Sequence, residues 1–267
     1  MRKKMSFGAV LFMLAVLVFM YLPVLVVVLY SFNANEARNA MSFTGFTFKW
    51  YIELFTQTRG VSDAVLNTLQ LALYSCMLSV VLGTLGAIGL TQQAATGRVS
   101  RFSAFVEALT TAPIMIPEII LGMALMALFY LVDLPFGMLT LVMGHTTFCV
   151  PYILIVVKGR LAGMDPALSE AARDLGASPA RVMRDITLPL IMPGIVSGAF
   201  LALAMSLDDL IISYFVTGAG INTLPLMVYS SVKTGVSLKI NALCTLMLLI
   251  VFIVCAVVLM RKKPRKV

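Results

Sequence analysis

Charge is scarce in this chain. Of its 267 residues only 12% are Asp, Glu, Lys or Arg, while 60% are apolar. A water-soluble domain of this size needs more polar surface, which excludes a soluble fold and leaves a polytopic membrane protein. Cysteine is sparse too. Cys76, Cys149, Cys244 and Cys255 all lie inside apolar runs without paired spacing. They read as small buried hydrophobes, and indicate neither a disulfide framework nor a metal site. A single histidine, His145, excludes a Cys/His metal cluster. No GxxxxGK[ST] phosphate loop is present, so the chain is not expected to hydrolyse ATP. Nor is there a nucleophile–base–orienter set, so it is not expected to be an enzyme. The first apolar segment is too long for a signal-peptide core and lacks a small-residue cleavage site close behind it, so it reads as a retained span.

The charge that is present has a direction. The net charge is +8, concentrated at Arg2-Lys3-Lys4 and Arg261-Lys262-Lys263-Pro264-Arg265-Lys266 beside apolar spans. That placement suits anionic lipid headgroups and topology control rather than nucleic acid. A span needs about 20 apolar residues. Six segments qualify, at approximately 8–32, 64–91, 104–132, 138–157, 194–217 and 240–260, in a single all-α transmembrane domain covering 1–267. Fifteen of the 20 basic residues fall on one side of these spans, counting Arg98 and Arg101 in the second loop. Both termini are therefore expected to face the cytoplasm. The first outer loop carries Gly45-Phe46-Thr47-Phe48-Lys49-Trp50-Tyr51, a composition suited to an interfacial anchor. Gly83, Gly86 and Gly89, three apart in the second span, predict close helix packing.

Between the fourth and fifth spans lies a polar island. Asp165-Pro166 predicts a helix start, by a capping carboxylate and a proline tolerated at the first position. Gly176 predicts its stop. Ser178-Pro179 repeats the start for a second short helix, which Leu188-Pro189 is expected to break, with Pro193 following. This helix–glycine–helix elbow, Glu170-Ala171-Ala172-Arg173-Asp174-Leu175-Gly176 followed by Ile186-Thr187-Leu188-Pro189, resembles the EAA loop of ABC importer permeases. The resemblance implies docking onto a cytoplasmic ATPase through a coupling elbow at 159–190. Glu170, Ala171, Ala172, Asp174, Gly176, Leu188 and Pro189 would then be the coupling residues.

The remaining polar residues lie deep in the spans. Pro113 and Pro117 interrupt the third span, which holds Glu107 and Glu118; eleven residues apart, these return to nearly one face of an ideal helix. Glu118 is near mid-span, and Glu107 is nearer the cytoplasmic end, where a solvated or capping role is expected. His145, in Gly144-His145-Thr146-Thr147-Phe148-Cys149, is expected to make a helix–helix hydrogen bond rather than relay protons. The fifth span carries Ser206-Leu207-Asp208-Asp209; either the helix ends at Ser206 and the aspartates act as caps in water, or it continues, and the apolar run Leu210–Val216 favours continuation. Neighbouring helix positions point about 100° apart, so one aspartate is expected to contact solute while the other is satisfied by a neighbouring helix. No Lys or Arg lies at comparable depth, so the chain is expected to offer these acids no basic counter-charge. Either the aspartates are protonated, or a partner chain supplies the base, or the solute does, and a cationic solute is the simplest completion. Tyr74, Tyr152, Tyr214 and Phe215 are candidate aromatic faces for ammonium groups.

Ser206-Leu207-Asp208-Asp209, Ser213-Tyr214-Phe215-Val216-Thr217-Gly218, Leu224-Pro225-Leu226, Asn241-Ala242-Leu243, and Thr111-Ala112-Pro113 with Pro117-Glu118 together resemble the permease subunits of bacterial spermidine/putrescine ABC importers. Related permeases commonly carry Asp at 118, so here charge is kept and reach differs. The resemblance implies a MetI-like fold and a polyamine path past Glu118, Asp208, Asp209, Tyr214 and Tyr152. It also implies a bacterial inner-membrane location. The implied partners are a heterodimeric PotB/PotH-type permease, two copies of a PotA/PotG-type ATPase holding ATP and Mg, and an extracytoplasmic polyamine-binding protein. Two alternatives remain open at this point: a permease for another cationic or chelated solute, and a proton-coupled secondary carrier using the acids as a relay.

Overall fold

The computed structural model describes residues 6–36, 42–56, 59–95, 101–234 and 238–261. The basic clusters Arg2-Lys3-Lys4 and Lys262–Lys266, together with Arg98, Gly235 and the side chain of Cys255, lie outside the described set. The helices in chain order are α1 (Phe7–Tyr30), α2 (Lys49–Thr56), α3 (Arg59–Ala95), α4 (Arg101–Met115), α5 (Glu118–Leu131), α6 (Met138–Ala162), α7 (Pro166–Asp174), α8 (Pro179–Val182), α9 (Leu188–Asp208), α10 (Ile211–Val216), α11 (Leu224–Thr234) and α12 (Leu238–Arg261). No strand forms among the described residues, only an isolated bridge between Asn33 and Phe46. Four helices are long and apolar enough to cross a membrane, and the bent pair α4–α5 adds a fifth. The expected sixth span corresponds to α12, whose apolar stretch among described residues is the shorter Leu238–Ile253.

The chain divides into two compact units, 1–62 with 228–267, and 63–227. In the first, α1 buries no residue of its own, and α1 and α2 pack on α12. The expected interfacial anchor is a folded knot. Asn33 Oδ1 accepts from the Asn35 and Thr44 amides at 3.2 and 3.0 Å, and its Nδ2 donates to the Ser42 carbonyl at 2.9 Å. The Trp50 indole donates to the Asn33 carbonyl at 2.7 Å. Lys49 lies over the Trp50 ring, 5.4 Å from its centroid, and pairs with Glu36. The Lys49 hydrogen bond and charge hold the Glu36 carboxyl below its ordinary range.

The second unit is built round α6, which buries eleven of its residues and packs most extensively on α9. Small residues permit these approaches. A Cβ on Gly83 would lie 2.9 Å from Ile153 Cβ and 3.1 Å from the Val150 carbonyl, and one on Gly86 would lie 3.4 Å from Leu154. Gly89 has nothing within 4 Å, so the expected glycine seam closes after two of its three members.

Two helix ends differ from expectation. Leu188-Pro189 does not break the elbow's second helix. Residues Met183–Thr187 form a single π turn, and Pro179–Asp208 runs as one 30-residue helix. The Leu188 amide reaches back five residues to Met183, and the widened turn makes room for the Pro189 ring, which would otherwise press on the carbonyl four residues earlier. The fifth span is therefore not 194–217: its helix starts before Pro193 and stops at Asp208.

Gly83→Val is expected to lower the thermal midpoint of the detergent-solubilised protein, with a cost of about 1–3 kcal/mol from overpacking against Ile153. Gly89→Ala is expected to leave it unchanged or higher. Trp50, the only tryptophan, reports the outer knot. Because the Glu36 carboxyl is held low, its contribution is present above the ordinary carboxylate value and is lost as pH falls through the lowered one. Acid titration should shift Trp50 emission in the native chain and much less in Glu36→Gln.

Candidate functional site

The expected third span is broken where its prolines predict. α4 ends at Met115, Pro117 sits immediately before α5, and the two helix axes differ by 115°. The break leaves Glu118 exposed in the first turn of α5, where free backbone N–H groups favour a carboxylate. It also removes the single face that Glu107 and Glu118 would share on a straight helix. Glu107 is instead paired with Lys158, which lies on α6 just past the expected end of the fourth span. A counter-charge for this acid is thus available within the chain, contrary to expectation.

A second break lies at the end of α9. Asp208 is its last residue, and Asp209 is extended, with φ −65° and ψ 122°. The helix does not continue to Val216 as the apolar run suggests. Asp209 caps α10 instead: its Oδ1 accepts from the Ile212 amide at 3.2 Å, and its Oδ2 accepts from the Ser213 amide at 2.8 Å and the Ser213 hydroxyl at 2.9 Å. A hydrophobic run cannot overrule a carboxylate that satisfies the orphan N–H groups of a new helix start. His145 stands beside it, with Nε2 3.1 Å from Asp209 Oδ2 and 2.9 Å from Ser213 Oγ. Its Nδ1 is 2.7 Å from Ser206 Oγ, which lies 3.1 Å from Ser75 Oγ. The expected helix–helix bond of His145 therefore joins α6 to α9 and α10, and Asp209 too has a basic partner within the chain.

Between these breaks opens a cavity of about 540 Å³ lined by Glu118, Phe148, Met205, Asp208, Asp209 and Ile211 among others. Three carboxylates line it, and among the described residues no lysine or arginine does. Asp208 is exposed and Asp209 buried, a difference made by the helix break between them rather than by the 100° step of a continuous helix. Tyr152 and Tyr214 are not in the lining. Tyr214 is exposed and meets Phe215 edge to face, and the lining aromatic is Phe148. Phe215 packs under Gly122, where a Cβ would approach it to 2.6 Å. Sequence reasoning missed Lys158, Phe148, Ser75 and Ser213. The available signal was hydroxyl residues seven apart, Ser206 and Ser213, beside the one histidine.

The elbow forms as its caps dictate. The Asp165 side chain accepts from the Ala167 amide at 3.0 Å, and the Ser178 hydroxyl from the Arg181 amide at 3.4 Å. Gly176 closes α7 in the left-handed region, φ +81°, with the Ala177 amide bonded to Ala172 and the Gly176 amide to Arg173. Glu170 is exposed, and Leu175 is 89% exposed, an apolar tip on an otherwise polar turn.

Residues 79–262 match the family model described as "Binding-protein-dependent transport system inner membrane component". The spermidine/putrescine transport system permease protein PotC of Escherichia coli (strain K12) is 35% identical over 256 residues, 95% of this chain and 94% of that protein. The putrescine transport system permease protein PotI of the same strain is 41% identical over 236 residues, covering 86% and 82%. Two solved structures share the fold. The MetNI methionine ABC transporter, inward facing, matches with TM-score 0.60 and 21% identity over 79% of this chain and 95% of that one. A bacterial ABC transporter involved in import of the acidic polysaccharide alginate matches with TM-score 0.69 and 17% identity over 91% and 88%.

The Lys158 and Glu107 side chains are each more than a third solvent-accessible or close to it, so their pair contributes modestly, at most about 1 kcal/mol. Lys158→Glu alone should lower the thermal midpoint by like-charge contact with Glu107, and the swapped pair Glu107→Lys/Lys158→Glu should recover it.

Proposed function

Because this chain belongs to the inner-membrane components of binding-protein-dependent transport systems, we propose that it is a polyamine-translocating permease subunit of an ATP-driven importer. The carrying observation is the cavity at the two helix breaks, lined by three carboxylates and by no lysine or arginine. Its volume is within the range of small-molecule sites, roughly 300–1,000 Å³. An ammonium group leaving water there meets carboxylates and the face of Phe148, which together replace part of its hydration. The names of PotC and PotI support spermidine or putrescine as the solute.

The chain is multi-pass, with both termini and the elbow assigned to the cytoplasmic side by the distribution of its basic residues. The elbow, Glu170 to Gly176 with its exposed Leu175, docks on a cytoplasmic ATPase that holds ATP and Mg. A second permease subunit completes the passage, and an extracytoplasmic polyamine-binding protein delivers the solute. Movement of the docked elbow is passed along the helix Pro179–Asp208 to the cavity at its far end. Glu118 and Asp208 then meet the passing cation.

The test is uptake of labelled spermidine and putrescine by cells expressing the complete transporter and lacking their own polyamine importers. Glu118→Gln and Asp208→Asn should each reduce uptake about tenfold or more, the loss of one charge-assisted contact. Gly176→Val, strained at its positive φ, should abolish uptake while the chain remains in the membrane. Uptake at the native rate by both carboxylate variants would overturn the reading.

A further inference from the structure

The three acids of the cavity do not occupy equivalent positions. The Asp209 side chain is 1% exposed and that of His145 is fully buried. Asp209 Oδ2 faces three donors, the Ser213 amide, the Ser213 hydroxyl and the imidazole, while Oδ1 accepts from the Ile212 amide. A carboxylate has about four lone-pair sites. These donors occupy most of that capacity, and the Glu118 carboxyl takes up what remains on the cavity side. The Ser213 hydroxyl has one hydrogen, and it is committed to Asp209. Nε2 therefore faces two oxygens and must itself carry hydrogen. The other end of the ring is fixed by Ser206, which in turn meets Ser75. Glu118 approaches Asp209 from the cavity side and is itself exposed. The Asp208 side chain is exposed, on the same cavity as Glu118.

We propose that Asp209 and His145 are a positioning pair that fixes the α9–α10 break, and that Asp208 and Glu118 alone present carboxylates to the solute. This rests on the reading of the cavity as the solute path. The logic is local. Asp208 and Asp209 are adjacent in sequence, and the extended backbone at Asp209 turns the second side chain into the protein. A carboxylate held by two backbone amides, a hydroxyl and an imidazole cannot exchange these partners for a passing amine without unmaking the start of α10. Its place in the break instead sets where Asp208, one residue earlier, stands in the cavity. Of the groups that face Asp209, Glu118 comes from α5, His145 from α6, Asp208 from the end of α9 and Ser213 from α10.

Two measurements on the assembled transporter test this, and only the second depends on the solute. First, carboxyl labelling with a water-soluble carbodiimide and an amine nucleophile, read by mass spectrometry, should modify Asp208 and Glu118 and spare Asp209. In His145→Ala, Asp209 should become reactive. Labelling of Asp209 as readily as Asp208 in the native chain would overturn the proposal whatever the solute is. Second, the KM and maximal rate of spermidine uptake are compared for Asp209→Asn, His145→Gln and the double variant. Asp209→Asn should raise KM about tenfold by displacing Asp208, and adding His145→Gln should cause no further loss, since its partner is already gone. Additive losses would overturn the pairing. Should Asp209→Asn fail to assemble, His145→Gln with the labelling assay decides by itself: Asp209 exposed to reagent supports the pair, and Asp209 still spared overturns it. Native spermidine uptake in Asp208→Asn and Glu118→Gln, with the labelling pattern as expected, would refute the polyamine path and leave the geometry standing.

Discussion

A carboxylate taken out of water must be bonded by what surrounds it, because an unpaired buried charge costs several kcal/mol or more. Asp209 meets that requirement by interrupting a helix. It ends one helical segment and caps the next, and an imidazole reached from another helix completes its bonding. The consequences spread outward. α9 stops at Asp208, α10 starts at Ile211, and the corner between them forms one wall of the cavity. The opposite wall comes from the break at Pro117, where a missing N–H and a steric clash with the preceding turn leave no continuous helix. Two interruptions, one made by a proline and one by a charge, create a polar hollow in an apolar fold. Irregular backbone at such depth is tolerated where it lines a cavity or is buried in protein, and both conditions hold here.

The elbow depends on the same accounting of free backbone groups. Asp165, Ser178 and Gly176 satisfy orphan amides and carbonyls at three helix ends within fourteen residues. What remains exposed is a rigid polar turn with Leu168 and Leu175 outward. An isolated turn has no reason to keep an almost fully exposed leucine in water, and a protein partner would cover it.

Much of this was legible in the sequence, because the signals were strong and local. Apolar runs of span length, Asp-Pro and Ser-Pro helix starts, a glycine stop and a double-proline interruption each have one favoured physical outcome. The failures share a cause: they required knowledge of what lies across the fold. Leu210–Val216 reads as helix continuation because its hydrophobicity outweighs the capping alternative that the aspartates also offer, and the histidine that completes the bonding of Asp209 comes from another helix. Pro189 reads as a breaker because nothing in the letters announces a π turn that would seat it. Lys158 falls one residue outside a span, and nothing local ties it to Glu107, fifty-one residues away. Tyr152 and Tyr214 were attractive as aromatic faces, but their spacing could not tell which face of the helix they occupy. The cavity aromatic, Phe148, sits three residues after His145 and looks in sequence like any other packing residue.

The helix from Pro179 to Asp208 carries a mechanical implication. Thirty residues at 1.5 Å each make a rod about 45 Å long, with the elbow at one end and the Asp208 carboxylate at the other. Its regular hydrogen bonding is interrupted at the π turn and at Pro193, and the π turn, the nearer of the two to the elbow, is the natural fulcrum. The 21 residues beyond it span about 32 Å, so a swing of about five degrees there would carry the far end through about 3 Å, comparable to a hydrogen bond's length. A modest shove delivered at the elbow is thereby enlarged into a displacement able to form or sever contacts at the acidic tip.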